Sequence, residues 1–248
     1  MFRPVAALAL ILALTACAAP RAPLPPPVPG PEAGPSPARS SGFDDFLSVA
    51  PRVESAAEAW CRDARPSAPP RDCDFLIRLI RDRSAPPNAF QTVGEDGRPL
   101  IVVTSNLLAQ TGGPDEVAFV LSHEAGHHIA DHLPRQQRSQ ALGALILGGL
   151  VATSGQGVTD AQIREAMDVG AFLGGRVYSQ SFELEADELG AYISARAGYD
   201  PERGALVFTR PALAGGGGLL STHPASPERQ AAVRAAADRI RAGNAAGL

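Results

Sequence analysis

The chain has 248 residues, enough for one globular domain with appendages and a buried core. The apolar fraction is ordinary, and 22 basic against 26 acidic residues give a slightly acidic net charge of −4. Nothing basic or block-like supports a nucleic-acid partner. The five histidines are unevenly spread, with four between His123 and His132 and the fifth at His223.

Met1-Phe2-Arg3 carries a positive charge, and Val5 to Leu14 is an apolar run too short to span a bilayer. It reads as a signal-peptide core. Leu14-Thr15-Ala16-Cys17 resembles the bacterial lipobox, whose Cys is acylated after cleavage. Residues 1–16 are therefore expected to be a lipoprotein signal peptide, and Cys17 the lipidated N-terminus that ties the protein to a membrane. Ala18 follows, and the lack of Asp there favours the outer membrane by analogy with enterobacterial sorting. The stretch to Ser41 is dense in Pro and cannot form a packed core. With Cys17 it makes a tether over 17–41 that, fully extended, reaches on the order of 70 Å.

The folded domain is expected over 42–248. Phe43, Phe46, Leu47, Val49 and Val53 recur at helical spacing, continuing towards Trp60. Cys61 and Cys73 read as a disulfide in an oxidising compartment, with two independent buried thiols as the alternative. Phe75 to Ile80, Asn88 to Val93 and Leu100 to Thr104 read as strands, the last two joined through Asp96-Gly97, a hairpin signal. Pro114-Asp115-Glu116 opens a helix, expected to run through Val117 to His132 and stop before Pro134. Further helices are expected at 141–153, 160–172, 181–197, 201–208 and 227–241, with Gly198 as a C-cap and Asp200-Pro201 and Ser226-Pro227 as starts. Ala141 to Val151 is apolar all round and too short to span a bilayer. Core packing is the expectation for it, over a membrane- or substrate-facing role. The class is α+β, mainly helical with one small β-sheet.

His123-Glu124-Ala125-Gly126-His127 is H-E-x-x-H within a helix. Residues four apart share a helical face, so both imidazoles can reach one ion, with Glu124 beside them to take a proton from the attacking water. The pattern arises by chance in about one chain in two hundred of this composition, so it needs support. Support comes from Glu183-Leu184-Glu185-Ala186-Asp187. A catalytic zinc takes three protein ligands and keeps one open position. Glu183 is placed to be the third ligand, and Asp187, one turn on, to accept the free ring N–H of a ligand histidine. His128 points about 100° away from His127, and His132 lies five residues on, so both are read as non-ligands.

These residues carry a resemblance. His123 to His127, Glu183-x-x-x-Asp187 and Thr222-His223-Pro224 resemble the motifs of the zinc metallopeptidase family that contains HtpX and the CAAX prenyl endopeptidases. The chain is more similar to its exported bacterial members, such as the periplasmic β-barrel assembly-enhancing protease. The likeness spans roughly Asp74 to Arg229. It implies a gluzincin-type domain with its sheet beside the zinc helix and one Zn²⁺ per chain, held by His123, His127 and Glu183. It implies Glu124 as catalytic base and Asp187 as support. It also implies that Asn88-Ala89-Phe90 leads an edge strand that binds substrate in extended form. The matching His in relatives can occupy the open zinc position, so His223 is expected either to hold a latent state or to stabilise the oxyanion, with a hydrogen-bonded loop histidine as the alternative. The family's transmembrane helices and tetratricopeptide array have no counterpart in the sequence, so neither prenylated substrates nor docking to outer-membrane assembly machinery is implied. Gln180 stands where relatives often have Arg.

The expected function is a lipid-anchored endopeptidase facing the periplasm, cleaving unfolded or misassembled envelope proteins. The alternative is a zinc-containing chaperone or assembly factor with little proteolysis. Glu124 weighs against it, because a structural site has no use for a general base. A protease dedicated to one substrate is a third reading.

Overall fold

The computed structural model describes residues 42–155, 157–177, 179–214 and 217–245. The signal peptide, Cys17, the tether and the first two glycines of the Gly215–Gly218 run lie outside the described residues.

Helix α1 (Gly42–Ala64) buries Phe46, Val49, Ala50, Val53, Ala56, Ala57 and Cys61 along one stripe. Leu47, expected among them, faces solvent. Cys61 is joined to Cys73 by a disulfide with Cα atoms 5.5 Å apart. Three strands follow, β1 (Leu76–Ile80), β2 (Ala89–Val93) and β3 (Pro99–Thr104). They form one sheet in the order β1-β3-β2, with β3 parallel to β1 and antiparallel to β2. The central strand is almost wholly buried, as its apolar run Leu100 to Val103 requires. The hairpin turns through Gly97, whose φ of 81° suits a residue without Cβ. The edge strand β2 exposes Phe90 and Val93.

A single turn, α2 (Ser105–Leu108), leads to α3 (Pro114–Ile129), which buries 13 of its residues on all sides. The expected helix to His132 is two. The chain breaks at Ala130-Asp131, where Asp131 takes a left-handed φ of 53°, a conformation Asp tolerates better than most residues. Helix α4 (His132–Ala152) then begins, and Pro134 sits in its first turn, where a missing N–H costs no intrahelical bond. Thus Pro134 starts a helix and does not stop one. Helices α5 (Asp160–Val177), α6 (Ser179–Arg196), α7 (Pro201–Gly204), α8 (Leu219–Thr222) and α9 (Pro227–Ala245) complete the domain. Asp200 caps α7 by accepting from the N–H groups of Glu202 and Arg203, and Gly198 ends α6 with a φ of 89°.

The expectation that Ala141 to Val151 is core is corrected. Helix α4 packs mainly on α5, and Leu142, Leu145, Ile146 and Leu150 are between 59% and 65% exposed. Gly148 is buried beneath Met167, and Gly143 lies against Gly170, so the small residues face the partner helix and the large ones face outwards. Being apolar all round, the segment can pack by either face, and only the small one fits closely on α5. Among the described residues no helix is long and apolar enough to cross a membrane.

Candidate metal centre

Helix α3 carries His123, Glu124 and His127, and its first turn is anchored. In its first turn Glu116 is buried and receives Arg210 Nε and Nη2, each at 2.6 Å, together with the Gly112 N–H at 2.8 Å. Such bidentate, charge-assisted pairing holds a buried carboxylate that would otherwise be costly. Along its length α3 lies against α6 at close range. A Cβ on Gly126 would come 2.9 Å from Ala186 O, and one on Gly190 would come 3.1 Å from the backbone N and Cα of His123. Glycine at these two positions therefore sets how near Glu183 and Asp187 come to the histidines.

Three elements supply the centre. His123 and His127 come from α3, Glu183 from α6, and His223 from the end of α8, all buried. Their ligand atoms lie within 4.8 Å of one another. His123 Nε2 is 3.0 Å from His127 Nε2, 3.2 Å from His223 Nδ1 and 3.3 Å from Glu183 Oε2, and His127 Nε2 is 3.3 Å from Glu183 Oε1. Four donors at about 2.0 Å from a tetrahedral zinc would be about 3.3 Å apart, so the spacings fit the ion. Imidazole nitrogens facing one another at 3.0 Å need a proton or a cation between them. Imidazole and carboxylate are also the donor types that zinc takes.

The charges agree. Burial pushes Glu183 up, but hydrogen bonds from His123, His127 and His223 outweigh it and hold the carboxyl well below its usual range. Burial raises Asp187 too, and Arg229 and His123 hold it below its usual range. Arg229 grips Asp187 with two bonds of 2.6 Å, and Asp187 Oδ1 is 3.0 Å from His123 Nδ1. For His123, burial is outweighed by these two carboxylates, which raise it to about 9. For His127, burial and then the charge on His123 lower it to about 3.

Glu124 is 1% exposed and its Oε1 is 3.4 Å from His223 Nε2. A cleft reaches the centre, lined by Phe90 and Gln91 of β2 on one side and by Glu124, His127, Glu183, Thr222 and His223 on the other. Asn88 links the two sides. Its Oδ1 accepts the Ala89 N–H at 2.9 Å and the Thr222 hydroxyl at 3.4 Å, and Leu219 N–H donates to Pro87 O at 2.9 Å. His128, read as a non-ligand, points away from the centre to Asp72 O at 3.2 Å and packs edge-on against Phe75.

The sequence reading missed Arg229, which is 2% exposed and lies with its Cζ 3.7 Å from the centroid of the Phe208 ring. It also missed Glu185 and Arg135, which are bonded to each other. Glu185 stands inside the acidic run that was singled out, whereas nothing local distinguishes Arg229 beyond its place two residues into the α9 start at Ser226-Pro227.

The profile of Peptidase family M48 matches residues 49–237. The chain is 32% identical over 162 residues to the mitochondrial metalloendopeptidase OMA1 of Saccharomyces cerevisiae, covering 62% of this chain and 44% of that protein. It is 31% identical over 166 residues to the putative beta-barrel assembly-enhancing protease of Vibrio cholerae, covering 62% and 33%. With the beta-barrel assembly-enhancing protease of Escherichia coli it shares 29% over 180 residues, covering 62% and 33%. The chain spans less than half the length of these relatives.

Proposed function

The chain belongs to peptidase family M48, and we propose that it is a zinc-dependent endopeptidase with one ion per chain held by His123, His127 and Glu183. The observation that carries this reading is the convergence of those donors on one buried point with the Glu124 carboxylate beside it. Zinc, when bound, polarises the scissile carbonyl and lowers the pKa of water. Glu124 takes the proton from the attacking water on its carboxylate and returns it to the leaving amine. Asp187, itself clamped by Arg229, is proposed to fix the His123 ring, with Oδ1 standing 3.0 Å from Nδ1.

An extended substrate is proposed to add to the β2 edge from Asn88-Ala89-Phe90. Main-chain hydrogen bonds there accept many sequences. Support comes from β2 being an edge strand that lines the cleft. Such tolerance suits unfolded or misassembled proteins as substrates. With the lipobox-like Cys17, it suits a protease tethered to the bacterial envelope, facing the periplasm and sited at the outer membrane.

His223 is proposed to hold a latent state. Its Nδ1 lies 3.0 Å from both oxygens of Glu183 while its Nε2 faces Glu124, an arrangement that engages both a ligand and the base. His223→Ala is then expected to raise hydrolysis several-fold, and a fall would assign the ring to the oxyanion instead.

The test is cleavage of denatured casein by the purified protein with and without a chelator, beside Glu124→Gln. The expected result is chelator-sensitive cleavage that falls 10²–10⁴-fold in Glu124→Gln while zinc is retained. Cleavage by Glu124→Gln at the wild-type rate would falsify the assignment of the base.

A further inference from the structure

His132 is not among the four residues at the centre, yet it is 3% exposed and directed at one of them. Its Nδ1 lies 2.8 Å from His127 Nδ1. Its Nε2 lies 3.0 Å from Glu185 Oε2, and that oxygen also receives Arg135 Nη1 at 2.8 Å. The ring stacks on Phe182 with centroids 4.3 Å apart and planes 11° from parallel, and Arg135 Cζ lies 4.5 Å from the centroid of the same phenyl ring. His132 is thus held by packing on one side and by a charged pair on another.

The protons settle in one order. His127 turns Nε2 towards the centre, so an imidazole that gives that lone pair to a cation carries its proton on Nδ1. The His127 Nδ1–H then donates to His132 Nδ1. This puts the His132 proton on Nε2, from which it donates to Glu185, and Arg135 supplies the remaining donor. Every N–H in the chain meets an acceptor. His123 is served by a carboxylate, Asp187, whereas His127 is served by a second imidazole with a carboxylate behind it.

We propose that His132 is a positioning residue for the metal centre, fixing the tautomer and ring plane of His127 through Nδ1, with Glu185 and Arg135 fixing its own tautomer. The proposal rests on the reading of His127 as a zinc ligand. Hydrogen-bond partners of metal-bound imidazoles commonly contribute about 10–100-fold to metal affinity.

The experiment is competition of the full chain with a chromogenic zinc chelator, comparing wild type, His127→Ala, His132→Phe, His132→Asn and Glu185→Ala. Asn keeps an acceptor oxygen near the position of Nδ1, whereas Phe keeps the ring and stacking but offers none. Glu185 is 45% exposed in its side chain, so its removal spares the fold and keeps the test decisive if His132→Phe fails to fold. The expected result is zinc affinity about 10–100-fold weaker in His132→Phe, recovered most of the way by Asn, and several-fold weaker in Glu185→Ala. Affinity within twofold of wild type in Glu185→Ala, together with a Phe variant that is also unchanged, unfolded or not rescued by Asn, overturns the proposal. Zinc retained by His127→Ala would instead overturn the ligand reading beneath it.

Discussion

Two helix pairs in this chain use the same packing device for opposite ends. Helices α3 and α6 approach through Gly126 and Gly190, and α4 and α5 through Gly143, Gly148 and Gly170. The first pair spends its closeness on burying charge. His123, Glu124, Glu183 and Asp187 are all enclosed, with Arg229 to balance the carboxylates. The second pair encloses little beyond its own small residues and turns Leu142, Leu145, Ile146 and Leu150 outwards. Composition therefore misleads in both places. The H-E-x-x-H motif lies in the core, and the large apolar residues of Ala141 to Val151 lie on the surface. What decides is which neighbours satisfy each face, since buried charge is tolerated only when paired, whereas exposed apolar side chains forgo burial but leave no polar group unsatisfied.

This contrast can be broken most severely at Asp187. In Asp187→Ala the buried Arg229 guanidinium loses two bonds of 2.6 Å and keeps only Glu183 Oε2 at 3.1 Å and two backbone carbonyls, and breaking a buried ion pair typically costs about 3–5 kcal/mol. Urea unfolding of the metal-free protein measures it, and a change under 1 kcal/mol would show that water reaches Arg229 and that the cluster is not closed. A smaller loss is expected for Gly126→Val. Its branches must push Ala186 and its carbonyl away, an overpacking cost of about 1–3 kcal/mol, and the displacement of Glu183 should weaken zinc binding in parallel. Unchanged stability and zinc affinity would mean that the helices do not depend on the glycine. The smallest effect is expected on the other pair. Leu145→Gln and Ile146→Gln on the outer face of α4 should change stability by less than about 0.5 kcal/mol. A loss of 2 kcal/mol or more for either in the same unfolding experiment would mean that this face is covered in solution.

Much of the centre was legible because its logic is local. His123 and His127 are four apart, as are Glu183 and Asp187, and a helix puts such pairs on one face whatever surrounds it. The strands were legible from their bounded apolar runs and the Asp96-Gly97 turn, and the parallel pairing of β1 with β3 was not, because pairing is set by the path between strands. His132 was read as a non-ligand and stands outside the four converging donors, but its contact with His127 was hidden for a physical reason. Counting five residues from His127 along one helix directs it away, but the left-handed turn at Asp131 ends that helix and brings the ring back against His127. Arg229 was invisible for another, since burial of a lone Arg depends on a carboxylate 42 residues earlier in the chain.

Whether His123, His127 and Glu183 hold zinc is decided by anomalous diffraction at the zinc edge from crystals of the zinc-loaded protein. A single anomalous peak per chain is expected, within about 2.0–2.2 Å of His123 Nε2, His127 Nε2 and a Glu183 oxygen. A peak elsewhere, or none at this cluster in protein carrying stoichiometric zinc, would contradict it.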